Sequence, residues 1–71
     1  MSTDLRNNLT YQLEMEINEL GRIMVTFDGW IEQAQHAHRW ATMGELATQR
    51  LEVQQRRSAL MAERFGLRRR V

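Results

Sequence analysis

The chain has 71 residues, with ten Arg, no Lys, nine acidic residues, two His, no Cys and no Pro, for a formal net charge of +1. One small domain is the most this length supports, near the size where a single core supplies only about 3–5 kcal/mol, so a second copy or another partner is expected to complete it. The absence of Cys excludes disulfides, thiolate chemistry and Cys-based zinc sites, and the near-zero net charge gives no global field that would announce nucleic acid.

The first eight residues, Met-Ser-Thr-Asp-Leu-Arg-Asn-Asn, lack the basic-then-apolar layout of a signal peptide. No run of 18 apolar residues follows, so the expectation is a cytoplasmic protein with no membrane segment. Residues 1–35 carry two Arg against six acids, and residues 36–71 carry eight Arg against three. An acidic half followed by a basic half suits a chain folded back on itself, or two copies paired head to tail. Arg at every basic position also fits the codon usage of a GC-rich bacterial or phage genome.

Without Pro, and rich in Leu, Glu, Gln, Ala, Arg and Met, the chain favours helix almost throughout. Leu13, Ile17, Leu20, Met24, Phe27, Ile31, Ala34, His38 and Ala41 follow one another at alternating steps of four and three. That spacing is a heptad seam, and it predicts a first helix over about 4–40. Thr42 and Glu45 are spaced as a capping box, which predicts a second helix over about 43–65. Gly66 suits a left-handed cap at its end, and residues 66–71 would form a short basic tail on the single domain 1–71.

The expected fold is therefore all-α: an antiparallel helical hairpin that turns near residue 42 and dimerises into an assembly like a four-helix bundle. A turn near 28, at Asp28-Gly29, or three short helices, are the alternatives. With the turn near 42, Leu46, Val53, Leu60 and Leu67 would face His38, Ile31, Met24 and Ile17. Arg57 would then lie near Asp28 and Arg64 near Glu19. The longer first helix would overhang the second, leaving Leu5, Leu9, Tyr11 and Leu13 for a second copy.

Arg50, Arg57 and Arg64 recur every seven residues and none has an acid three or four places away. Their stems can cover apolar surface while their heads reach acids of the first helix, or they can meet carboxylates or phosphates of a partner. Arg56, four after Glu52, reads as an ordinary exposed helix pair. Trp30, Trp40 and Ile23 lie beside the seam, and surplus aromatic area on so small a chain points to a second covered face. Arg68, Arg69 and Arg70 either complement the helix dipole or touch phosphate or an acidic partner.

His36 and His38 stand two apart and so point to different sides of a helix, while Glu32 and His36 share one. Two ligands do not make a metal site, so no metal and no cofactor is expected, and His38 reads as a half-buried member of the seam. No catalytic grouping emerges, so the chain is not read as an enzyme. In hairpin shape it resembles small plasmid-encoded RNA-binding proteins, with Ala62-Glu63-Arg64-Phe65-Gly66 as the residues that echo them. It also resembles short chaperones of type III secretion, there through Gln12-Leu13-Glu14-Met15. These likenesses imply shape and carry no function. The expected function is a small protein-binding module (an inhibitor, adaptor or chaperone) acting through Trp30, Trp40 and the Arg stripe. The alternative is a dimeric nucleic-acid binder using that stripe and the C-terminal Arg cluster.

Overall fold

A computed structural model describes the backbone of residues 2–69 and the side chains of residues 7–67. It contains two helices, α1 (Ser2–His36) and α2 (Trp40–Arg69), joined by the three residues Ala37, His38 and Arg39. The hairpin is a rod of 55 × 14 × 12 Å, with a radius of gyration of 16.3 Å. A compact domain of this length would have about 11 Å, so there are only two layers and very little interior. Neither helix is long and apolar enough to cross a membrane, among the described residues.

The heptad seam forms α1 without a break. Ile17, Leu20 and Ala34 are its buried members, and Leu13, Met24, Phe27 and Ile31 are half-buried. The stretch Val25–Trp30 stays helical despite its weak formers, and the Thr26 hydroxyl donates back to the Arg22 carbonyl at 3.1 Å. A turn near 28 is thus ruled out. Apolar contact with α2 outweighs the local cost of Gly29, roughly 1 kcal/mol relative to Ala.

The reversal falls at 37–39, a few residues before the expected turn near 42. The Arg39 amide donates to the Ala34 carbonyl at 2.9 Å and the His38 amide to the Gln35 carbonyl at 3.1 Å. These two bonds are a Schellman closure, with His38 in the left-handed position at φ 55°. His is among the residue types that tolerate that conformation better than most, which lets the chain turn here. His38 is therefore an exposed turn residue and not a member of the seam; Ala41 leaves the seam with it.

Helix α2 starts at Trp40, with the Arg39 carbonyl accepting the Met43 amide at 2.9 Å. Thr42 is consequently inside the helix, and the expected Thr42–Glu45 capping box does not begin it. Nor does Gly66 end it: α2 continues to Arg69, and no described glycine has a positive φ. Continuation costs Gly66 only its usual helix penalty, whereas a stop there would leave the same four end carbonyls unpaired and forgo the helical hydrogen bonds of the last residues.

Moving the turn from 42 to 38 slides one helix past the other by about seven residues, a whole heptad. Leu46, Val53 and Leu60 now stand level with Ile31, Met24 and Ile17, and Leu67 with Thr10 in place of Ile17. The long overhang expected of α1 is gone, because α2 runs alongside it almost to the N-terminus. Leu13 is half-buried within its own hairpin, while Leu9 and Tyr11 are exposed on its flanks. The side chain of Leu5 lies outside the described residues.

Two substitutions check this backbone. Replacing His38 by Gly removes the left-handed penalty of about 1–2 kcal/mol and forfeits the 5.6 Å ring contact with Trp40. The expected net gain is about 1 kcal/mol, read as a Tm increase of roughly 4–8 °C for a domain of this size. Gly29 lies inside α1 with open space around its missing Cβ. Gly29→Ala should therefore add up to about 1 kcal/mol, and Gly29→Pro should cost about 3 kcal/mol or more. Chemical denaturation followed by circular dichroism measures both.

Candidate interaction surfaces

Two heptad columns form the inner face of α2. One is apolar, with Leu46, Val53, Leu60 and Leu67; the other is Met43 followed by Arg50, Arg57 and Arg64, and all eight residues are half-buried. Facing the Arg column is a column of α1 with the same period, Glu14, Gly21 and Asp28. Arg50 Nε donates to Asp28 Oδ1 at 2.6 Å, and its Nη1 donates to Gln54 Oε1 at 3.1 Å. Arg64 Nη1 lies 3.9 Å from Glu14 Oε1.

The middle rung differs. Arg57 faces Gly21, where no carboxylate exists, and donates from Nε to the Ile17 carbonyl at 3.2 Å. A Cβ on Gly21 would meet the Arg57 guanidinium at 3.4 Å, so glycine leaves room for that flat head to lie against the helix backbone. Arg57 has no carboxylate partner among the described residues. The pairings expected from a turn near 42, Arg57 with Asp28 and Arg64 with Glu19, do not form: Arg57 bonds the Ile17 carbonyl and Arg64 lies beside Glu14. Glu19 instead pairs with Arg22 at 3.8 Å on the exposed side of α1.

On the opposite flank Arg56 Nη2 donates to Glu16 Oε1 at 2.9 Å. This cross-helix bond takes the place of the pairing with Glu52 expected within the helix. Glu16 shares its column on α1 with Leu9, Ile23 and Trp30. Trp30 packs edge-on against Phe27, ring centres 5.4 Å apart, and remains 49% exposed. With Ala34, Ala37, Thr42 and Leu46 it lines a shallow groove beside the turn.

Trp30 and Trp40 therefore do not form one patch. Trp40, 59% exposed, belongs to the α2 column that borders the Arg stripe, on the flank away from Trp30. Sequence spacing placed both residues beside the seam, but without the register it could not separate the two flanks. Arg68 and Arg69 have side chains outside the described set, as does all of Arg70. Glu32 and His36 meet at 3.8 Å on the surface, and no cluster of three metal-ligating side chains occurs among the described residues. Sequence reasoning missed the apolar residues Leu51, Met61 and Phe65 on α2, which are 50%, 38% and 60% exposed. Their spacing of ten and four residues was a readable signal, hidden by the stronger seam of α1.

No protein-family model, curated protein or solved structure matches the chain.

The ladder makes a quantitative expectation. A double-mutant cycle on Arg50 and Asp28 should give a coupling of about 0.2–1 kcal/mol, the range for partly exposed pairs. The same cycle on Arg57 and Asp28 should give none. A coupling at Arg57–Asp28 instead would place the turn near 42 after all.

Proposed function

We propose that this chain is a small non-enzymatic protein-binding module whose partner docks on the Trp30 flank of the hairpin. The observation that carries this reading is a half-exposed tryptophan, edge-on against Phe27 and set beside an open groove at the turn with an apolar floor and polar edges. Trp is among the residue types that dominate binding energy when a partner covers them. With only two rotatable bonds in its side chain, it costs little entropy on binding. The grooves of the hairpin are shallow and open, which suits docking of a side chain from another protein better than enclosure of a substrate.

Support for nucleic acid as the ligand is weaker. Arg50 and Arg64 turn towards carboxylates of their own chain, so the stripe offers a phosphate backbone less charge than its sequence suggests. Phosphate binding would need several such cations and would fall steeply with salt.

The test is purification of the tagged chain from its host with and without nuclease, followed by Trp30→Ala. The expected result is a co-purifying protein that survives nuclease and moderate salt. Trp30→Ala should weaken its binding by about 2 kcal/mol or more while leaving the helical content of the hairpin intact. Recovery of nucleic acid that nuclease abolishes would overturn this function.

A further inference from the structure

We propose that two copies of this chain pair antiparallel through the exposed flank of α2, about a two-fold axis between Leu51 and Gln54. This association is separate from the Trp30 flank and does not depend on a heterologous partner.

The flank consists of two heptad columns beside the Arg stripe: Gly44, Leu51, Ser58 and Phe65 in one, Trp40, Ala47, Gln54 and Met61 in the other. The eight residues are all exposed and none is charged. The next column outward, Ala41, Thr48, Gln55 and Ala62, is also exposed and also without charge. Twelve uncharged surface positions on one side of a helix stand out in a chain that is 27% charged. Depletion of charge together with exposed aromatics is the composition of an interface centre.

A second copy is the occupant that the pattern fits. In an antiparallel helix pair the residues of one column meet those of the other column of the partner. A two-fold axis requires each contact to occur twice, with the two residues exchanged. An axis between Leu51 and Gln54 satisfies both conditions along the whole flank. Leu51 then meets Gln54 of the second copy, Ala47 meets Ser58, Gly44 meets Met61, and Trp40 meets Phe65. Small residues oppose small near the centre, Met opposes Gly, and the aromatics close both ends.

Three further features agree. Gly44 has open space where its Cβ would be, and its helical position otherwise only weakens α2; Met61 of a second copy fills that space. Two of the four polar members are already engaged, Thr48 with the Gly44 carbonyl at 3.0 Å and Gln54 with Arg50, and Ser58 and Gln55 lie at exposed positions where solvent or the second copy can satisfy them. Val25, at 69% the most exposed of the large apolar side chains described, lies between Gly21 and Asp28 as residue 53 lies between Arg57 and Arg50. It therefore stands level with the axis on the same flank. With it the surface spans about 40 Å of helix and would bury roughly 1,000 Å² in total, the lower end for a specific interface.

Sedimentation equilibrium and disulfide trapping test the pairing, and the chain has no native Cys to interfere. The wild type should show about 17 kDa, twice its 8.5 kDa, across the micromolar range. Leu51→Glu should weaken dimerisation by about 30-fold or more, and Trp30→Ala should leave the mass unchanged. The double variant Ala47→Cys/Ser58→Cys should oxidise to a covalent dimer, whereas neither single variant should, because like positions lie about 16 Å apart in this register. A monomer mass at every concentration overturns the proposal, as does loss of the dimer in Trp30→Ala. Cross-linking by the single variants overturns the antiparallel arrangement.

Discussion

The register between α1 and α2 is the constraint on which the rest of this hairpin depends. It is held by a three-residue reversal in which His38 takes the left-handed conformation and two backbone hydrogen bonds close the end of α1. From that point outward every rung follows: Arg50 on Asp28, Arg57 on Gly21, Arg64 on Glu14. A different turn would leave the same helices but give each Arg a different neighbour. The turn thus decides which Arg has a carboxylate and which lies against bare backbone.

Placing Arg where a helical hairpin ordinarily has a second apolar column has a cost. The stems of Arg50, Arg57 and Arg64 cover apolar surface, but their heads must stay hydrated or paired, so among the described residues the interior narrows to Ile17, Leu20 and Ala34. Exposed ion pairs contribute little to stability. Two layers with so thin a core leave much apolar surface outside. Most of that surface lies on two flanks, with Met15 apart from both on the outer side of α1.

The flanks differ chemically. Beside the turn on α1, Trp30 sits next to a groove that also has polar edges, with the Arg56–Glu16 pair further along the same side. On α2 the exposed columns are uncharged over about seven turns. A face of the first kind suits an unlike partner recognised by an aromatic anchor and a polar surround. A face of the second kind, whose residues complement one another about a two-fold axis, suits a copy of itself.

Composition and periodicity alone determined that the chain is helical and which residues of α1 face inward from Leu13 to Ala34, and they favoured a single reversal over three short helices. Those follow from propensity and from a 3.5-residue apolar repeat, both local properties of the chain. They did not determine the register. Because both seams repeat every seven residues, sliding one helix by a heptad brings apolar columns together again, so turns near 42 and near 38 match almost equally well by pattern. The tertiary structure decided between them through the backbone geometry of His38, which no periodicity encodes. With the register came the partners of the Arg stripe and the separation of Trp30 from Trp40 onto opposite flanks, since facing across a hairpin is a property of two helices and not of either one.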